Sequence, residues 1–341
     1  MISEGPIVCF GEVLVRLTAP DSELLLQSGR LNANFGGAET NVAVSLSRLG
    51  GRSRMVSVLP DNAIGRAAFD ELRRHGVNVS GIRFAEGRMG LYFLTPGAVL
   101  RPSDVIYDRW GSVFAEAEPD AVDWPAMLSG AAALHLSGVT PALGPKAAQA
   151  ALRAAKAANA LGVPVSFDGN YRGKLWAKWD GDGPKILREL LACATLAFVD
   201  DRDIALVLKT SFEARDAAER RRKAAKAAFE TFPNLKRIAT TCRAQESMDR
   251  HELSAVTFAR DGREVSSKAE TLTGIVDRIG AGDAFAAGLL HGLQKGLDDQ
   301  AALDFAKAAA CLKHGIPGDF NLAGEADVKA MLAQEGLDIR R

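Results

Sequence analysis

The chain has 341 residues, 47% of them hydrophobic and 6% aromatic, enough to bury a large core as one α/β unit with an appendage or as two domains. Its 42 basic and 42 acidic side chains cancel, which gives no support to a nucleic-acid or anionic-membrane surface. Cys9, Cys193, Cys242 and Cys311 show no CxxC or Cys/His metal spacing, no basic stretch precedes a long apolar run at the N-terminus, and no apolar stretch spans a bilayer; a cytoplasmic protein with reduced thiols is expected.

Ile7–Phe10 reads as a buried first strand, and 13–18 leads to the turn signal Ala19-Pro20-Asp21. A polar, glycine-bearing stretch, Asn32 to Asn41, opens a helix predicted over Val42–Leu49, closed by Gly50-Gly51. A strand over 54–59 and a helix over 61–75 follow. Leu91–Leu94, Val99-Leu100 and Val105–Tyr107, broken by Pro96-Gly97, suggest short antiparallel strands. With part of 14–35 they make a small β-rich lid of segments about 14–35 and 88–113, inserted in one α/β domain spanning 1–341. From Ala131 strands (133–136, 163–168, 196–199, 237–241) alternate with helices (146–161, 184–191, 282–294, 299–314), which implies a mostly parallel sheet covered on both faces. The charge run Arg215–Lys226 has the texture of a solvated helix face.

The chemistry gathers at Val276-Asp277-Arg278-Ile279-Gly280-Ala281-Gly282-Asp283, where a small-residue turn runs into a helix. Free N–H groups and the positive end of the helix dipole favour a phosphate there. Asp283 then has two readings: an N-terminal cap of the helix, or a base beside a phosphate cradle. The chain has no GxxxxGK[ST] loop, and Phe285 occupies the third glycine position of a dinucleotide fingerprint. A glycine anion cradle with an adjoining carboxylate is what phosphoryl transfer to an alcohol requires.

These residues resemble the ribokinase-like (PfkB) carbohydrate kinases over almost the full length. The family's Gly-Gly…Asn motif is matched by Gly36-Gly37-Ala38-Glu39-Thr40-Asn41, and its late motif by Asp277–Asp283, with Arg278 in place of a threonine. Within the family the chain is most similar to bacterial 2-keto-3-deoxygluconate kinases, through those motifs and through Arg101–Arg109, Asp168–Trp176 and Cys311–Asn321. The resemblance implies a three-layer α/β/α fold with a lid, and ATP and Mg²⁺ as cofactors. Asp283 would be the base, with Gly280, Ala281 and Gly282 as the anion hole. Gly37, Asn41 and Asp319 would face the sugar, with Tyr92 either lining its pocket or filling the lid core. Tyr107, Arg109 and Arg172 would surround the keto-acid end. Asn170, the turn Thr241–Glu246 (with Arg243 and Gln245) and His314 would face the nucleotide, although His314 reads equally as structural.

Physical chemistry agrees on the acid end, since a planar guanidinium can hold a carboxylate by two parallel bonds. Arg109 has a rival reading as a surface arginine paired with Asp104 or Asp108. Asp168 reads as a loop-organising carboxylate, and Trp176 and Trp179 as packing. Two departures stand out: Asp200-Asp201-Arg202-Asp203 replaces the family's Asn-x-x-Glu, leaving Asp203 to order magnesium through water, and Leu100 stands where a glutamine is usual. The reading is an ATP-dependent sugar-acid kinase with sugar acid and ATP as its partners, pairing through its lid as a homo-oligomer. Kinases of neutral sugars such as fructose or ribose, and a non-catalytic sugar-binding protein, are the alternatives.

Overall fold

The structure is a computed structural model describing residues 4–245, 247 and 250–333. Its strands are β1 (Ile7–Phe10), β2 (Leu14–Thr18), β3 (Asn32–Gly36), β4 (Ser53–Pro60), β5 (Asn78–Ala85), β6 (Gly90–Thr95), β7 (Asp104–Asp108), β8 (Ala133–Ser137), β9 (Val165–Asp168), β10 (Leu196–Phe198), β11 (Arg237–Gln245), β12 (Arg250–Ala259), β13 (Glu264–Ser266) and β14 (Glu270–Thr273).

Every residue of β1 and β8 is buried, as strands sandwiched between helices require. They lie inside a ten-stranded sheet of order β13-β12-β11-β10-β9-β8-β1-β4-β5, with β14 also on β12. All pairings from β11 across to β5 are parallel, whereas β12, β13 and β14 add an antiparallel margin. Alternate strand residues feed opposite faces. Val8, Phe10, Leu134 and Leu136 pack with the alanines of the helix Pro145–Ala160. Ile7, Cys9 and Ala133 pack with the helices Ala38–Arg48 and Ala281–Gln294. The chain leaves β1 for β4 and β5 on one side and returns to β8 on the other, so a crevice opens beyond the carboxyl ends of β1 and β8. Among the described residues no helix is long and apolar enough to cross a membrane.

A second sheet, β3-β2-β6-β7, stands over this edge where the lid was expected. Its hairpins β2–β3 and β6–β7 are antiparallel, the second as expected for 91–107, and β2 and β6 join them by a parallel pairing. Val99 and Leu100 form no strand. They sit at a turn closed by the bridge Ala98–Arg101, 85% and 95% exposed, with Val99 at φ +52°.

Three differences from the expected boundaries bear on the site. The first long helix starts at Ala38, not Val42, because Gly37 takes φ +132°, beside the Glu12 carbonyl where a Cβ would collide. Thr241–Gln245 is not a turn but the end of β11, held by β12; Glu246 lies outside the described residues. The helix at the anion turn begins at Ala281.

The lid is fastened to the sheet by Glu12, just after β1. Its carboxylate takes the Arg109 Nε at 2.6 Å and the Ser112 hydroxyl, and neither Glu12 nor Arg109 is more than 5% exposed. Removing one partner of such a pair strands the other charge in the interior. Arg109→Met is therefore expected to lower unfolding free energy by about 3–5 kcal/mol in urea titrations.

Candidate active site

A cavity of about 890 Å³ opens between the lid and the carboxyl edge of the large sheet. One end is walled by Leu14, Tyr92, Val105 and Tyr107 of the lid, the other by Asp200, Arg202, Thr241 and Arg243 beyond β10 and along β11, together with Arg278. Gly37, Asn41, Asn170, Arg172, Gly280, Gly282, Asp283 and Asp319 also line it, so most of the expected site residues meet in one place.

The anion turn is built from Asp277. Its Oδ1 accepts the Ile279 N–H at 3.0 Å, a local bond that bends the chain, and its Oδ2 accepts the Gly318 N–H at 3.0 Å. The Val276 and Asp277 N–H groups donate to the His314 carbonyl at 2.9 and 3.1 Å. Gly280 caps the helix at φ +82°, where a Cβ would run into the Asp319 carbonyl; only glycine suits that site. The Ala281 N–H is already bonded to the Arg278 carbonyl at 3.3 Å, which removes Ala281 from the expected donor set. The N–H groups of Gly282 and Asp283 have no backbone partner among the described residues.

Asp283 is the third residue of that helix and no cap: the cap position is Gly280, which lends no side chain. Its carboxylate takes the Asn41 Nδ2 at 2.6 Å. Burial raises its pKa to about 7, against the lowering effect of the Asn41 bond, with Asp319 and Glu39 adding to the rise and Arg172 opposing it.

Asp319 is 3% exposed and accepts the Tyr92 hydroxyl with both oxygens, at 3.1 and 2.9 Å. Tyr92 thereby answers both of its readings, since it also packs with Leu14 and Leu94 in the lid core. Burial raises Asp319 to about 6. Asp168 is pushed well up by burial and by Asp283 and Asp203, and it accepts the Asn170 N–H at 3.2 Å, organising its loop. Asn170 sits at φ +35° with its Oδ1 buried and without a partner among the described residues.

Arg109 borders the cavity, and its Nε pairs with Glu12 rather than with Asp104 or Asp108. One expected ligand is placed otherwise. His314 is not among the residues lining the cavity. Its ring is 3% exposed, its Nδ1 bonds the Ala310 carbonyl at 2.7 Å, and burial lowers its pKa to about 4; only its backbone carbonyl serves the site. Arg172 borders the cavity, contacts the Tyr171 carbonyl at 3.3 Å, and has no carboxylate within 4.0 Å among the described residues.

Asp200 and Asp203 form a reciprocal cap on the helix Asp201–Leu208: Asp200 accepts the Asp203 N–H at 3.0 Å, and Asp203 accepts the Asp200 N–H at 3.0 Å. That is a local reason for aspartates in this segment. Burial, with Asp200 beside it, raises Asp203 to about 6. Among the described residues no group of three or more His, Cys, Asp or Glu could hold a metal by itself. A magnesium ion carried in on phosphates needs fewer protein ligands, so Asp203, whose Oδ2 already takes the Asp200 N–H, fits that mode of delivery and no dedicated cage.

Three buried side chains escaped the sequence reading. Arg16 of β2 reaches Asp277 at 2.6 Å and Asp319 at 3.2 Å. Glu39 accepts the Ser137 N–H and hydroxyl and the Thr140 hydroxyl at 2.9, 2.7 and 2.8 Å, tying the start of the helix Ala38–Arg48 to the end of β8. Lys313 ends the helix Asp299–Lys313 with no exposed surface. Arg16 carried a signal, a lone charge in an apolar strand, which must find partners inside.

Comparison with known proteins fixes the family. A model of the pfkB family carbohydrate kinases matches residues 6–319. The chain belongs to that family. It is 33% identical over 328 residues to a 2-dehydro-3-deoxygalactonokinase of Haloferax volcanii, covering 96% of each chain. It is 28% identical over 328 residues to a 2-dehydro-3-deoxygluconokinase of Thermoproteus tenax, covering 92% of this chain and 89% of that one. The crystal structure of a Thermotoga maritima 2-dehydro-3-deoxygluconokinase superposes with a TM-score of 0.91 at 37% identity, over 97% of this chain and 100% of that one. The fold is thus the ribokinase-like α/β fold with a lid-like second sheet, and the protein is a phosphotransferase acting on an alcohol group of a sugar. Kinases of this family use ATP with a divalent metal.

The Asn41 bond favours the ionised form of Asp283, so Asn41→Ala is expected to raise its titration midpoint above the value near 7. Carbon-13 NMR of labelled aspartate, followed from pH 5 to 9, checks both the midpoint and the direction.

Proposed function

We propose that this kinase transfers the γ-phosphoryl group of Mg·ATP to the terminal hydroxyl of 2-keto-3-deoxygluconate. The observation that carries the reading is Asp283: a buried carboxylate with a pKa near 7, in the first turn of a helix whose mouth offers free N–H groups to the same cavity. A base with that pKa is half ionised at neutral pH and strong enough to take an alcohol proton as bonding develops.

In the proposed step, the hydroxyl oxygen attacks the γ-phosphorus, the bridging bond to the β-phosphate breaks, ADP leaves, and the hydroxyl proton passes to Asp283. The N–H groups of Gly282 and Asp283 hold the charge on the transferring group. Magnesium, when bound, neutralises phosphate charge, and Asp203 is the side chain that would order it through water. Asn41 and Asp319 would orient sugar hydroxyls, with Gly37 giving close backbone approach. Thr241 and Arg243 border the end of the cavity given to the nucleotide; Gln245 continues the same strand. Asn170 would meet the phosphates with its unpartnered oxygen through water or metal.

The acid end of the substrate falls to Arg172, Tyr107 and Arg109, which all line the cavity; of Arg109, it is the Nε that Glu12 takes. The Haloferax and Thermoproteus relatives are named for acids differing in sugar configuration, so the galacto epimer is the second reading. Two copies are proposed to pair through the lid, where Ile106 is 52% exposed; a monomer by light scattering would remove that assignment.

Asp283→Asn is expected to cut kcat by about 10³-fold or more with sugar KM nearly unchanged. Near-normal turnover would sink the base assignment. An ADP-release panel of both sugar-acid epimers, fructose and ribose decides the acceptor. Arg172→Ala should then cost about 10²-fold in kcat/KM on the acid and far less on a neutral sugar; equal losses would count against carboxylate recognition.

A further inference from the structure

Among the buried titratable groups left out of the site just described is Lys313. Its side chain is completely unexposed, yet it makes no ion pair within 4.0 Å among the described residues. Its ammonium instead donates to two backbone carbonyls, Ile316 at 2.8 Å and Asp277 at 3.4 Å. Asp277 starts the anion turn and Ile316 belongs to the segment that ends at Asp319. A Cβ built on Gly280 would lie 3.5 Å from the lysine Cε, so the stem passes directly behind the helix cap.

A buried ammonium held by carbonyls alone is an expensive way to fill space, because a methionine would pack there without desolvating a charge. What the charge offers is its position: behind Gly280, at the end of the helix whose opposite, solvent-facing side presents the Gly282 and Asp283 N–H groups. We propose that Lys313 is a positioning residue, a resident cation that clamps the anion turn to the segment 316–319 and adds positive potential behind the phosphoryl site. The inference rests on the anion-hole reading of that turn.

The surroundings agree. Lys313 is faced by Asp277 of the turn, Asp319 of the following segment, Arg16 of β2, Asp283 of the helix Ala281–Gln294 and the ring of His314 beside it. Burial lowers its pKa to about 8, with Asp277 and Asp319 resisting that fall. The ammonium is charged below that value and neutral above it, so catalysis should weaken as pH rises through 8. Ionisation of Asp283 near 7 sets the opposite limb.

The test compares wild type, Lys313→Met, Lys313→Ala and Asp283→Asn by ADP release on whichever sugar the wild type accepts, so the outcome does not depend on the acceptor's identity. Lys313→Met keeps the stem and is expected to lose about 30-fold in kcat with sugar KM within about threefold, and to lose the upper limb of the kcat/KM profile. Lys313→Ala should regain activity with added ammonium or methylammonium, which a merely structural role would not show. A methionine variant within twofold of wild type with an unchanged pH profile overturns the proposal, as does an alanine variant that folds but ignores added amine. If neither variant folds, the wild-type profile decides: a fall centred near pH 8 supports the cation, and a flat profile to pH 10 overturns it. An active Asp283→Asn would instead overturn the reading of the turn itself, whatever Lys313 does.

Discussion

The active cavity depends on a buried arginine. Arg16 enters from the lid strand β2 and lies between the carboxylates of Asp277 and Asp319. A guanidinium taken out of water is tolerable only when its charge is answered nearby. Here the answer comes from the anion turn on one side and from the segment after the last long helix on the other. Three parts of the chain far apart in sequence are thus held by one charge. Displacing β2 would leave two carboxylates facing each other in the interior, so lid, turn and Asp319 have little freedom to move separately.

That constraint explains why the site can hold so many carboxylates. Asp283, Asp319, Asp168 and Asp203 all lie in one cavity, and burial drives every one of them upward. In a flexible site such groups would turn to solvent. Local bonds prevent it: Asp203 is tied to the Asp200 N–H, Asp168 to the Asn170 N–H, and Asp283 to the side-chain amide of Asn41. A crowd of reluctant carboxylates favours cationic company and uncharged hydroxyls. Arg172, Arg202, Arg243 and Arg278 supply part of that company around the same cavity.

Much of this was legible in the sequence because it is local. The alternation of apolar runs with alanine-rich helices gives the parallel sheet, and the two glycine motifs mark Asn41 and Asp283, which the fold brings to 2.6 Å. What the sequence hid is long-range or ambiguous in type. Strands β12 to β14 are short or polar on one side, with patterns such as Glu-Val-Ser and Glu-Thr-Leu-Thr that only pairing with β12 makes into a sheet. Nothing local reveals that the Nε of Arg109 pairs with Glu12, 97 residues earlier. Lys313 looked like an ordinary basic residue at a helix end, where lysine complements the dipole anyway.

His314 shows how a motif can mark a place without marking a side chain. Its ring is buried away from the cavity, yet its carbonyl takes both N–H groups that start the anion turn. The same division runs through the site. Gly280 matters because the Asp319 carbonyl presses against it, and Asp277 because its two oxygens fix Ile279 and Gly318. These residues shape a backbone surface; Asp283, Asn41 and Arg172 then place side chains on it. On the proposed assignment the phosphoryl end is fixed by main-chain geometry that tolerates few substitutions, and the acceptor end is set by side chains that can change while the scaffold stays; family membership would then determine the reaction more tightly than the sugar.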